Sequence, residues 1–330
     1  MFQRRHFLSL AAAAMPAALP DRAVAQYISA SDPHASLTAQ RSGSNACLPD
    51  WSAVKTRTAP KAEILYKTPH GKPNGMALTN VPGEVWLTDQ SIDRWVSLIR
   101  IKDGSVIREF QADVVGASGA VMDYDDNALW ITSTHNSLIV KVDPANGKTI
   151  AKYDTPGSGR KYTKRGDPPG RDSKLPIAYP GLTREVGGLG DGRRPAGLQR
   201  GQFPLDTEEW IKGRTGAEGI LLKGTTLIYS CTACRSIFAV DKNNWEVQSV
   251  WPTPGDRPHG MSWADPDKNS FWNMDANLNA FYRYDATTGV IQEKVQLRDD
   301  PFTVSHGTKL IGDYMYFCDD TGWMCRVKWS

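Results

Sequence analysis

Thr253-Pro-Gly-Asp-Arg-Pro-His-Gly-Met261 aligns without a gap on Thr68-Pro-His-Gly-Lys-Pro-Asn-Gly-Met76, more than half the chain away. Each segment ends in a polar residue, a glycine and an apolar run. The same step recurs at Ser118-Gly119, Glu218-Gly219 and His306-Gly307. After each glycine comes a short strand pattern (Met76-Ala-Leu, Ala120-Val-Met, Ile220-Leu-Leu, Met261-Ser-Trp, Thr308-Lys-Leu). A second follows with an apolar or aromatic centre (Val85-Trp-Leu, Leu129-Trp-Ile, Leu227-Ile-Tyr, Phe271-Trp-Asn, Met315-Tyr-Phe). A third runs into an Asp-led turn, as at Asp103-Gly104 and Asp285 to Gly289, and a fourth leaves it. Four short strands per 40–47 residues, apolar at period two and broken by Gly, Pro and Asx, define an all-β chain. Repeats of that length and content predict a β-propeller with five four-stranded blades visible, and residues 156–214 leave room for a sixth.

The fifth unit reaches Ser330 after three strands, and Ala62-Glu-Ile-Leu-Tyr-Lys67 matches the missing fourth. An N-terminal strand beside Trp323–Trp329 closes the ring and removes an edge that a sheet cannot leave unpaired. Trp86, Trp130 and Trp272, at the centres of second strands, read as packing between blades.

Upstream of the repeats, residues 1–25 read as a signal peptide of the twin-arginine type. They carry Gln3-Arg-Arg-His-Phe-Leu8, a short apolar stretch from Leu8 to Leu19 and a small-x-small cleavage site at Ala23-Val-Ala25. This implies export to the bacterial periplasm or beyond, and no stretch is long enough to span a bilayer as a helix. Residues 26–61 read as an extended arm and 62–330 as the propeller. The formal net charge of +3 gives no support to nucleic-acid binding. The five cysteines would sit in an oxidising compartment. If Thr321-Gly322 is a two-residue turn, Cys318 and Cys325 face each other as a disulfide. Cys231 would pair with Cys234 or Cys47.

Propeller symmetry maps the residue before each glycine onto one circle, gathering Asn74, Ser118, Glu218, His259 and His306 at a channel mouth. A carboxylate, two imidazoles and an amide oxygen there suit a divalent metal ion, with Glu218, Asn74, His259 and His306 as ligands and Ca, Mg or Zn as candidates. Alternatively His259 or His306 serves as a general acid–base group. Loops between second and third strands share that face and bring Asp89, His135, Asp275 and Asn277 around it, with Ser118, as substrate-binding candidates. The insert at 156–214 emerges on the same side with twelve Lys/Arg against seven Asp/Glu, including Arg193 and Arg194. It reads as a lid over an anionic small molecule, or as a loop packed on a neighbouring subunit.

Leu129-Trp-Ile-Thr-Ser and Asn136 to Gly147, with Pro258-His-Gly-Met-Ser-Trp263, resemble repeats of the streptogramin lyase (virginiamycin B lyase) and YVTN-type propellers. Pro73-Asn-Gly-Met-Ala-Leu78 and Ala217-Glu-Gly-Ile220 are similar to segments of the gluconolactonase and regucalcin-like family. The second resemblance implies that Glu218 and Asn74 ligate a calcium-type ion. The first implies a base at His259 or His306 beside a magnesium held by carboxylates. The chain departs from both in showing five units, in Ile220 where the second family has Pro, and in a single ring Glu. The resulting expectation is an exported, metal-assisted lyase or hydrolase acting on a small ester- or lactone-like, anionic compound; the alternative is a non-catalytic binding or scaffold propeller.

Overall fold

The computed structural model describes residues 54–91, 93–164, 210–232, 236–255, 257–276, 278–298, 305–319 and 321–329, with the backbone only over 159–164 and 210–215. The signal-peptide reading, most of the arm, Cys47, Cys234, Asn277, Arg193 and Arg194 lie outside the described residues.

Five antiparallel sheets form the propeller. Blade 1 holds Pro73–Leu78, Glu84–Asp89, Trp95–Arg100 and Val106–Gln111. Blade 2 holds Ala117–Asp123, Ala128–Ser133, Leu138–Val142 and Thr149–Asp154. Blade 3 holds Ala217–Lys223, Thr226–Cys231, Ser236–Asp241 and Val247–Pro252. Blade 4 holds Pro258–Trp263, Ser270–Asp275, Ala280–Asp285 and Ile291–Gln296. Blade 5 holds Ser305–Ile311, Tyr314–Asp319 and Trp323–Lys328, completed by Glu63–Lys67 from the N-terminal side. That strand runs antiparallel to Trp323–Lys328, with Glu63 opposite Arg326 and Lys67 opposite Trp323. The ring is therefore closed as the repeat implies.

The arm adds a strand the repeat does not announce. Lys55–Thr58 runs parallel to Ile291–Gln296 as a fifth strand on blade 4. Arg57 ties it down, its Nε donating to Glu293 at 2.8 Å and a terminal nitrogen to the Trp329 carbonyl at 3.0 Å. Within the 156–214 insert, Gly159–Lys164 and Trp210–Thr215 pair as an antiparallel hairpin rather than as part of another blade.

Strand alternation explains the packing. Successive side chains of a strand point to opposite faces, so a strand between two neighbouring blades must be apolar on both. Val85 and Leu87 enter a core shared with blade 5, while Trp86 between them enters one shared with blade 2. Each of the five blade pairs has such a core. Trp86, Trp130 and Trp272 are all buried there, as inter-blade packing requires.

The same alternation overturns the predicted Cys318–Cys325 bridge. The turn is one residue longer than two, so Cys318 lies opposite Met324 and Phe317 opposite Cys325. A one-residue slip reverses the face of every side chain. Cys318 thus joins Met324 in the core with blade 1, and Cys325 joins Phe317 in the core with blade 4. Both are buried free thiols. Burial pushes both thiols up, Cys325 to about 12, which leaves them in the unreactive protonated form.

Candidate active site

The polar-Gly step is a bulge. In all five blades the register between first and second strands shifts at this step: across the polar residue alone in blade 1, from Pro73 to Gly75, and across both residues in the others, from Ala117 to Ala120, Ala217 to Ile220, Pro258 to Met261 and Ser305 to Thr308. A bulge leaves a residue unpaired and re-aims its side chain. The glycine is required by the neighbouring blade. A Cβ on Gly75, Gly119, Gly219, Gly260 or Gly307 would come within 1.5–2.4 Å of the backbone carbonyl of Ser118, Glu218, His259, His306 or Asn74 respectively. Each glycine therefore seats the next polar residue around the axis, and the cycle returns to its start. Second-strand side chains satisfy several of those carbonyls: the Thr88 and Thr132 hydroxyls donate to Ser118 and Glu218 at 2.7 Å, and Ser230 donates to His259 at 2.9 Å.

The ring side chains meet one another. The Ser118 hydroxyl donates to Glu218 Oε2, and its oxygen lies 3.0 Å from the Asn74 amide oxygen. His259 Nδ1 lies 3.1 Å from Glu218 Oε2. Among the described residues neither His259 nitrogen makes an aligned hydrogen bond, and Nε2 is a buried atom without a partner there. The His259 and His306 ring centroids are 4.7 Å apart. A terminal nitrogen of Arg257 donates to His306 Nε2 at 3.2 Å. Asn74, Ser118, Glu218, His259 and His306 are all buried, and Arg257 is the half-buried member that reaches solvent. The bore just below the ring has a volume of about 10 Å³, room for at most one water, so a ligand must approach from the mouth.

Charge is sorted around this circle. Burial alone would raise Glu218, but His259, the Ser118 hydroxyl and Arg257 outweigh it and hold the carboxyl below its ordinary range. His306 is pushed well below the histidine range, first by burial and then by the positive charges of His259 and Arg257. It stands neutral, its Nε2 lone pair facing the guanidinium.

This arrangement does not fit a divalent cation. Arg257 already brings positive charge to His306 Nε2, and the Ser118 hydroxyl and His259 already meet Glu218 Oε2. Among the described residues no three His, Cys, Asp or Glu side chains converge at ligand spacing.

The outer candidates take other positions. Asp89 accepts from the Lys72 and Ser91 amides at 2.8 Å each, and Asp275 from Arg257 N at 3.0 Å and Leu278 N at 2.9 Å. These carboxylates hold the approach to the ring; Asp275 fixes the backbone of Arg257 itself. His135 is exposed in a short 3-10 turn, its ring lying over Gly116. Arg257 was not among the sequence candidates. Its signal was the Lys72-Pro-Asn-Gly and Arg257-Pro-His-Gly alignment, in which a base precedes each proline.

No protein-family model and no curated protein matches this chain. Among solved structures it is similar to the glutaminyl cyclase of Myxococcus xanthus, also a β-propeller, at 8% identity and a TM-score of 0.52 over 83% of this chain and 97% of that one. Virginiamycin B lyase from Staphylococcus aureus matches at 17% identity and TM-score 0.40 over 81% and 99% of the two chains. A catalytically inactive form of that lyase with Quinupristin matches at 15% identity and TM-score 0.40, with the same coverage. At 8% identity the likeness to the cyclase shows the propeller fold alone, and the chemistry has to come from the ring.

Proposed function

We propose that the ring is an acid–base active site that cleaves a small ester- or lactone-like compound bearing an anionic group, by elimination or hydrolysis. The observation that carries this reading is the pair of imidazoles 4.7 Å apart in opposite surroundings, His259 against a carboxylate and His306 against a guanidinium. Neighbouring imidazoles in opposite electrostatic surroundings are suited to the roles of acid and base in one reaction.

In this reading Arg257 receives the anionic group of the substrate and the negative charge that develops on the carbonyl oxygen. Drawn toward the substrate, it releases the His306 Nε2 lone pair. His306 then takes a proton, from the carbon beside the carbonyl in an elimination or from water in a hydrolysis. His259, backed by Glu218, returns a proton to the departing oxygen. The Ser118 hydroxyl fixes the carboxylate, and no step is routed through a metal.

The test is turnover of carboxylate-bearing lactones and cyclic esters by the wild type and by His259→Gln, His306→Gln and Arg257→Met. Each histidine variant should lose about 10²-fold or more in kcat, the scale of a lost acid–base group. Arg257→Met should chiefly raise KM for anionic substrates and spare neutral ones. Wild-type turnover in both histidine variants ends this proposal.

A further inference from the structure

The inner strands carry a second pattern, four residues past the ring. Asn74, Ser118, Glu218, His259 and His306 are followed at that spacing by Leu78, Met122, Leu222, Trp263 and Leu310. All five line one bowl at the opposite end of the axis, with a volume of about 590 Å³. At about 3.3 Å per strand residue they stand roughly 13 Å from the polar ring. That volume is within the range of small-molecule sites. Leu78 and, at the rim, Tyr124 are 42% and 51% exposed, unusual for large apolar side chains on a common concave surface.

One position breaks the apolar lining. Three residues past the ring the five strands carry Ala77, Val121, Leu221, Ser262 and Lys309. Lys309 is 5% exposed and lines both the bowl and the narrow bore. It donates to the Met261 carbonyl at 2.7 Å, a neutral acceptor, and among the described residues no carboxylate pairs with it. Burial brings Lys309 down to about 7, the expected response of an ammonium in that position. The other charges at the bowl do not compensate it. Lys268 is also positive, its amine 5.7 Å over the Trp263 ring. Asp265 is engaged by the Asn269 amide at 3.0 Å and by the Ser270 amide and hydroxyl at 2.8 and 2.7 Å.

We propose that this bowl binds a small amphipathic acid, an aryl or branched-alkyl carboxylate, with its carboxylate on Lys309 and its apolar body against Leu78, Met122, Leu222, Trp263 and Leu310. The acid supplies the missing counter-charge and covers the exposed apolar wall. The bore keeps it from the ring, so this site is separate from the proposed active site and does not depend on that assignment.

The probe is 8-anilinonaphthalene-1-sulfonate, an apolar anion, with phenylacetate and its neutral counterpart benzyl alcohol as competitors. Titration should give one saturable site with energy transfer from Trp263, displaced by phenylacetate far better than by benzyl alcohol. Lys309→Met should weaken the dye by about tenfold or more, the scale of a charge-assisted contact. Met122→Trp, which narrows the bowl, should weaken binding independently of the charge, and His306→Gln should leave it unchanged. Non-saturable binding, equal competition by the alcohol, an unchanged affinity in Lys309→Met, or loss in His306→Gln would each overturn the proposal.

Discussion

Replacing Lys309 by Met should make this protein more stable, and by an amount that depends on pH in a defined way. The lysine falls from 10.5 in the unfolded chain to about 7 in the fold, through burial. At about 1.4 kcal/mol per unit, that shift corresponds to a penalty of order 5 kcal/mol for carrying the charge below pH 7. Methionine has similar length and no charge; against the gain stands the hydrogen bond to Met261, worth about 1 kcal/mol. The net gain at pH 6 is therefore about 3 kcal/mol or more. As pH rises above 7 the folded wild type sheds this proton while the unfolded chain keeps it up to 10.5, so the wild type gains stability through that window. The gap between variant and wild type should narrow by about 1.4 kcal/mol per pH unit and shrink by roughly 3 kcal/mol between pH 6 and 9. Urea unfolding of both proteins at pH 6, 7.5 and 9 measures it, because groups common to both cancel in the difference. A gap that stays constant across that range, or a variant less stable at pH 6, would show that Lys309 is not buried as a charge.

Gly219→Ala should cost about 3 kcal/mol or prevent folding, since its Cβ would lie 2.2 Å from the His259 carbonyl and core overpacking is rarely absorbed without backbone movement; an unchanged melting temperature would disprove the close approach of blades 3 and 4. Stability should fall as pH drops below about 6.5, because unfolded His306 takes up a proton that the folded imidazole resists, and fall again below about 4.5 as the Glu218 contribution is lost. Acid titration of His306→Gln should lack the first step. Peptide mapping without reduction should recover Cys318 and Cys325 both as thiols, whereas a peptide joining them would refute the observed register. Purified protein should contain no stoichiometric divalent ion, and chelation should leave turnover unchanged; a bound ion at one per chain would restore the metal-ligand reading of Glu218 and the histidines.

What could be read from the sequence follows from what the fold makes periodic. The Asn, Ser, Glu, His, His circle was legible because each member precedes a glycine, and each glycine is forced by a carbonyl in the next blade. Closure was legible because the 68–76 and 253–261 segments occupy equivalent places before an inner strand. The cysteine pairing was not, since one extra turn residue changes nothing in composition yet reverses a face. The metal was expected from the residue types alone; the guanidinium that brings charge to His306 comes from a residue two places before His259, which no ligand pattern includes. Lys309 looks like an ordinary surface lysine until the five inner strands are stacked and its neighbours around the axis prove to be Ala, Val, Leu and Ser.

The strand Glu63–Lys67 that completes blade 5 is among the first parts of the propeller to leave the ribosome, and its partner Trp323–Lys328 is the last. Until blade 5 emerges, blade 1 has no neighbour on its Met76 side and the circle of bulges lacks His306. A nascent chain can build blades 1 to 4 in order, each against the one before, but it holds an open crescent with two apolar flanks throughout translation. Sealing is a single late event, and it assembles the polar ring at the same moment as it hides those flanks. A product truncated before blade 5 therefore carries aggregation-prone surface and an incomplete ring, whereas completion of that blade changes both.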